Sequence, residues 1–361
     1  MCGSWDRRGR MFLRRFLKMK ELITGLCSIQ CVSGSEITGN NRIIGYLKQN
    51  GISYEIDTMG NIIFQKNGTG DKTLMLIAHY DEIGFSVKYL DENGFIYFST
   101  IGGIDISILR GQKVVIMHDG NAINGVVGVK PIHMINQERN KNNNNLDVSD
   151  LWIDIGMTNR DDANKFVSIG DPISFSSNFT ELHNNTFTSK SIDDRVGIAA
   201  LLSTYNKIQY VDTKYKKIIF VLSSQEEIGL RGAKVAGYAL NPDVCIAIDV
   251  THATDYPSVN KHKFGDIRLN KGVVIPSGSN FNATVQRRLR SIAAQRNIPF
   301  QIESLPGNSG TDISEIQVAQ NGCMAGLVSI PCRYMHTPVE MASCKDIESS
   351  VEVLSAFCLG E

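Results

Sequence analysis

Two short runs of the chain are almost wholly apolar, and each stops abruptly at residues that bind metals or move protons. Thr73-Leu-Met-Leu-Ile-Ala78 leads into His79-Tyr80-Asp81-Glu82, and Lys217-Ile-Ile-Phe-Val-Leu222 leads through Ser223-Ser224-Gln225 into Glu226-Glu227. Such runs, with no polar alternation, suit strands buried on both faces, as in a parallel sheet covered by helices. A third run, Val244-Cys-Ile-Ala-Ile248, ends at Asp249. Open α/β sheets bind ligands beyond the carboxyl ends of their strands, so the three tips are expected to converge on one site.

The rest of the chain fits that frame. After Asp193 the pattern reads helix 193–206, strand 217–224, helix about 229–239, strand 244–250, helix 281–296, strand 324–330 and helix 344–359. This alternation predicts a mostly parallel sheet flanked by helices. Residues 19–50 read as two helices around Val32-Ser33-Gly34-Ser35, with Ser33 or Ser35 capping the second. Strands are expected at Ile52–Ile56, Asn61–Gln65 and Thr73–Ala78. From His79 to Asp193 is 114 residues, far more than a crossover needs, whereas Asp193 to Glu227 is 34 and Glu227 to Asp249 is 22. A whole module is therefore expected in the long gap. Short strands there (Phe85–Leu90, Phe95–Ser99, Gln112–Met117, Asn121–Val129) are separated by Gly-rich turns, which predicts a small inserted β domain over 85–177. The main α/β domain then comprises 19–84 and 178–361. The polar stretch Asn136–Asp150 is expected to be a surface loop.

Charge and cysteine content exclude several classes. Lys+Arg and Asp+Glu both total 37, so there is no basic excess of the kind a nucleic-acid binder shows. The extension 1–18 has six basic residues against Asp6, a net of +5, and the body is mildly acidic. No run approaches the roughly 18 apolar residues of a membrane span. The eight cysteines form no CxxC pair and read as small buried hydrophobes in a reducing compartment. The N-terminal apolar pieces are too broken for a secretory signal. A cytoplasmic protein is expected.

The candidate site residues are each ordinary alone. His79 at a strand end is usually a hydrogen-bonded polar residue, Asp193-Asp194 a helix cap, and Glu226-Glu227 a solvated helix start. Gathered at the tips of buried strands, several carboxylates require a cation. His79-x-Asp81 also fits a metal-bound imidazole whose second nitrogen is held by a carboxylate, although Asp81 serves equally well as a turn cap.

Six motifs in one order carry a family resemblance. Ala78-His-Tyr-Asp-Glu-Ile-Gly-Phe85, Ile192-Asp-Asp-Arg-Val-Gly197, Gln225-Glu-Glu-Ile-Gly-Leu-Arg-Gly-Ala233, Asp249-Val-Thr251, Gly310-Thr-Asp312 and Ile330-Pro-Cys-Arg-Tyr-Met-His-Thr-Pro-Val-Glu340 resemble the dinuclear-metal aminopeptidases. These are relatives of the glutamyl, deblocking and tetrahedral aminopeptidases, some of which bear cellulase names. The resemblance covers about residues 19–350. It implies a phosphorylase/hydrolase-like α/β fold and two divalent ions, zinc or cobalt, with manganese as a third option. One ion would take His79, Asp193 and Asp249. The other would take Glu227 and His336 and share Asp193. Glu226 would be the general base, with Asp81 beside it in the catalytic set. Substrates would be peptides with free N-termini.

The resemblance further implies that the insert is PDZ-like and dimerises the protein, with dimers assembling into a dodecamer in many relatives. Ile101-Gly-Gly-Ile-Asp105 and Gly128-Val-Lys-Pro-Ile-His133 match the family there. It also implies a cis peptide between Asp193 and Asp194. The alternative enzyme class is a glycoside hydrolase of endoglucanase type using paired carboxylates. That reading explains Glu226 and Glu227 but leaves His79, Asp249 and His336 idle.

Overall fold

The computed structural model of the chain describes residues 19–131, 133 and 147–361. The extension 1–18 and most of the asparagine-rich stretch lie outside the described residues. Strands β1 (Glu55–Ile56), β2 (Ile62–Asn67) and β3 (Thr73–His79) come first. β4 (Gly84–Leu90), β5 (Ile96–Ile101), β6 (Lys113–His118), β7 (Asn121–Val127), β8 (Ile153–Asp154) and β9 (Pro172–Phe175) follow, then β10 (Thr180–Glu181) and β11 (Thr186–Ser189). The remainder are β12 (Lys217–Ser223), β13 (Val244–His252), β14 (Val273–Val274), β15 (Phe300–Gln301), β16 (Met324–Cys332) and β17 (Glu340–Ser343).

Eight strands form the main sheet, in the order β1-β2-β12-β3-β13-β16-β14-β15. Its centre, β12-β3-β13-β16, is parallel, while β2 and β14 join it antiparallel. Side-chain parity accounts for the apolar runs. In β3, Leu74, Leu76 and Ala78 pack into the core on one face, and Met75 and Ile77 into the core on the other. β12 divides Ile218, Phe220 and Leu222 from Ile219 and Val221 in the same way. With both faces covered, a period of two demands an apolar residue at every position. The helix Ile192–Ile208 supplies much of the cover, with Val196, Ile198 and Leu201 fully buried. Burying each such large aliphatic side chain is worth about 1.5–3 kcal/mol.

β4 to β9 close into a six-stranded barrel in the order β4-β5-β8-β7-β6-β9. The barrel has its own core, in which Phe85 meets Phe98 and Phe175 edge-on. It departs just after His79 and returns before Ile192, so both connections pass the carboxyl tips of the sheet. β10, β11 and β17 make a small separate sheet.

The expected elements differ from the structure mostly at their ends. Neither Ser33 nor Ser35 caps the second helix, which spans Asn40–Gln49 behind Gly39 and has no side-chain cap. A Cβ on Gly39 would stand 2.1 Å from the Gln30 carbonyl oxygen, so close packing sets that helix start. The expected strand Ile52–Ile56 shrinks to two residues. β13 runs past Asp249 to His252 because β16 pairs with it along its whole length. Among the described residues no helix is long and apolar enough to cross a membrane. The described cysteines are free thiols, six buried and Cys323 partly so.

Candidate active site

Strand register brings the tips level. Ser223 pairs with His79 and Ala247 with Ile77, so Asp249, two residues beyond Ala247, stands beside His79. His79 Nε2 lies 3.0 Å from Asp193 Oδ1 and 4.0 Å from Asp249 Oδ1. On the other side of the same carboxylate, Asp193 Oδ2 lies 3.3 Å from His336 Nε2, which is 3.5 Å from Glu227 Oε1. Asp193 thus turns one oxygen toward each histidine. Among the described residues, three sets of potential ligand atoms fall within 4.8 Å of one another: Asp193, Glu227 and His336; His79, Glu226 and Glu227; and His79, Asp194 and Asp249.

The Asp-Asp pair divides its work. Both residues have non-helical backbone angles, and the peptide between them is cis. Asp194 Oδ1 accepts from the Gly197 N–H at 3.0 Å and so caps the helix that follows. Asp193 is left to face the histidines. Gly197 makes room for this, since a Cβ there would lie 2.2 Å from Asp194 Oδ2.

Three further groups hold the site in shape. Asp81 is fully buried, and its two oxygens accept from the Glu226 N–H (3.0 Å) and the Glu227 N–H (3.2 Å). His79 Nδ1 is 3.6 Å from Asp81, beyond hydrogen-bonding distance. Of the two roles left open for Asp81, the structure therefore favours backbone anchoring.

Glu340 does the same on the other side, accepting from the Asp193 N–H (2.9 Å) and the His336 N–H (2.7 Å). It clamps His336 in a left-handed conformation, φ 61°, that a non-glycine residue rarely adopts. From the barrel, the Gly103 carbonyl lies 2.8 Å from His336 Nδ1. A carbonyl only accepts, so Nδ1 carries the hydrogen and Nε2 is the atom turned to Asp193 and Glu227. The approach needs the glycine pair: Gly102 has φ 76°, and a Cβ on it would stand 2.7 Å from Ile83.

The electrostatics are those of crowded anions. Burial, reinforced by neighbouring carboxylates, pushes the carboxyls of Glu226, Asp249 and Asp194 well up, and that of Glu227 up to about 7. Burial by itself would lower both histidines. The carboxylates outweigh it: Glu226 and Asp193 raise His79, while Asp193 and Glu227 raise His336 to about 10. The crowded carboxylates thus favour protons on both imidazoles. Imidazole nitrogens and carboxylate oxygens crowded at these distances suit divalent cations such as zinc, cobalt or manganese, so the donor set fits them.

His79, Asp193, Glu226, Glu227, Asp249 and His336 all line one cavity of about 480 Å³, and Asp81 stands behind it. The other lining groups include Thr251, His252, Glu303 and Leu305. Sequence reasoning gave no role to Glu340 or Glu303, and placed Asp312 only within a segment, 305–313, expected to line the specificity pocket. Asp312 is buried beneath the site and accepts from the Ser223 hydroxyl. The available signal for Glu340 was a carboxylate four residues beyond His336 in one motif.

A family profile described as M42 glutamyl aminopeptidase matches residues 60–353. A putative aminopeptidase of Acetivibrio thermocellus is 36% identical, covering 94% of this chain and 98% of its own length. The lysyl aminopeptidase of Pyrococcus furiosus is 33% identical over 93% and 96%. Among solved structures, the Pyrococcus horikoshii TET1 peptidase, which can assemble into a tetrahedron or a large octahedral shell, superposes with a TM-score of 0.85. It is 28% identical, over 95% of this chain and 100% of that one.

Proposed function

The chain belongs to the M42 glutamyl aminopeptidase family, and from that premise we propose that it removes N-terminal residues from peptides with the help of two divalent metal ions. The observation that carries this reading is the Asp193 carboxylate, one oxygen facing His79 and the other facing His336. His79, Asp193 and Asp249 would hold one ion, and Glu227, His336 and the shared Asp193 the other. Bound there, the ions supply Lewis-acid chemistry, lowering the pKa of water and polarising the scissile carbonyl.

The chain's own part is proton transfer and positioning. Glu226 accepts a proton from the attacking water as its oxygen bonds to the carbonyl carbon. It then delivers that proton to the departing amine nitrogen as the C–N bond breaks. Asp81 is a positioning residue, fixing the backbone from which Glu226 and Glu227 diverge. The carboxylates around the cavity make a negative field that attracts the ammonium of a free N-terminus.

The Gly103 carbonyl that orients His336 belongs to the barrel, which gives the insert a part in the site. We further propose that the barrel is the assembly module of a homo-oligomer, a reading supported by the shell-forming TET1 peptidase.

The test is a panel of aminoacyl chromogenic substrates assayed before and after EDTA, then after adding back zinc, cobalt or manganese. The reading expects hydrolysis of free-amine substrates, its loss on chelation and its recovery with metal. N-acetylated substrates should stay uncut. A glycosidase using Glu226 and Glu227 alone would ignore EDTA and cleave β-glucans, and no feature of the site favours it.

A further inference from the structure

Glu303 is a carboxylate in the cavity that the proposed hydrolysis leaves unused. It reaches the cavity beside Thr251, whose hydroxyl donates to Glu303 Oε2 at 2.8 Å. Thr251 and Asp249 are two residues apart on β13, so their side chains point to the same face, roughly 6.5 Å apart along the strand. The Glu303 carboxylate therefore stands one side-chain length from the metal-ligand cluster. Its segment is held rather than swinging. The Glu303 carbonyl accepts from the Ser277 N–H at 2.8 Å, and the Leu305 N–H donates back to the Ser277 carbonyl at 2.9 Å.

Among the described residues no lysine or arginine lines the cavity, and His79 and His336 are both turned to Asp193. Burial raises the Glu303 carboxyl, and only the Thr251 hydroxyl offsets it. A half-buried carboxylate in that state gains from an arriving cation. The distance suits a particular one. A lysine ammonium sits about 6 Å from its Cα on a flexible four-carbon stem. With the scissile carbonyl at the Asp193–Asp249 end, such a stem would run past Leu305 and Leu327, both in the lining, and the head would meet Glu303.

We propose that the cavity selects peptides whose N-terminal residue is basic, with Glu303 as the specificity-determining carboxylate. The proposal rests on the aminopeptidase reading above. It is tested by comparing kcat/KM for lysyl, arginyl, norleucyl, leucyl and glutamyl chromogenic substrates with metal-loaded protein. The expected result is at least a tenfold preference for lysyl over norleucyl, its uncharged counterpart of similar shape. Glu303→Gln should lower that ratio at least tenfold, and Glu303→Lys should shift preference toward glutamyl. On the wild type alone, free lysine should inhibit at least tenfold more tightly than free norleucine, a readout that does not depend on any variant folding.

Hydrolysis of norleucyl or leucyl substrates with no basic preference, or a ratio unmoved in Glu303→Gln, would overturn the assignment of Glu303 while leaving the aminopeptidase intact. Hydrolysis of none of the substrates would overturn both.

Discussion

Asp193 and Asp194 are adjacent acids with opposite tasks, and the difference between them is one of hydrogen-bond bookkeeping. Asp194 is engaged by the Gly197 N–H, whereas the Asp193 oxygens meet only histidine nitrogens. The proposed mechanism divides the adjacent glutamates likewise, and it predicts separable effects. Glu226→Gln should keep its metal content and lose about 10²–10⁴-fold in kcat, because it removes only the proton carrier. Loss of metal in that variant, read by elemental analysis, would mean that Glu226 is a ligand.

Metal affinity should also depend on pH. In the metal-free chain Glu227 is pushed up to about 7 and His336 to about 10, so both carry protons at mildly acidic pH. A cation must displace those protons, so affinity should rise with pH between about 5 and 8, with proton release on binding. Calorimetry in buffers of different ionisation enthalpy would count the protons. An affinity flat across that range would contradict the electrostatic picture.

At this scale the sequence was legible where chemistry followed an apolar run, as at His79, Glu227 and Asp249. His336 sits in a loop with no such signal, and only family resemblance singled it out. Glu340 and Glu303 escaped because their contacts are with Asp193 and Thr251, far away in sequence.

Elements position these residues through register and close approach. The runs in β3 and β12 were readable because burial on two faces leaves no polar position, a local consequence of a global arrangement. The start of the second helix was not, since Gly39 packing against the Gln30 carbonyl, rather than a capping hydroxyl, decides it. The glycine pair in the barrel loop is a similar case: it looks like a turn, yet it lets Gly103 reach His336.

Gly102→Val should therefore act at a distance. A β-branched residue at φ 76° is strained by about 1–3 kcal/mol, and its Cβ meets Ile83. The expected outcome is a folded protein with a lower Tm and weakened binding of the ion assigned to His336 and Glu227, measured by metal titration. Wild-type affinity for both ions would mean that the loop does not hold the site.

The whole molecule is an α/β sheet with a barrel set into the connection between two residues of its candidate site, His79 and Asp193. That insertion was legible as an excess of chain length between motifs, whereas the closure of its six strands depends on pairings such as β4 with β9 that no local pattern announces. If the barrel is the assembly module, light scattering should give a mass that is a multiple of the 39.9 kDa chain, and charged substitutions at its exposed Val126 or Ile169 should reduce it. A monomer at micromolar concentration would remove the assembly proposal without touching the site.

The central claim is that one carboxylate serves two ions. It is tested most directly by the metal content of Asp193→Asn beside the wild type after equilibration with zinc or cobalt and gel filtration. The account predicts two ions per wild-type chain and loss of both in the variant, because a neutral amide is a poor bridge. Retention of two ions by a folded Asp193→Asn protein would contradict it.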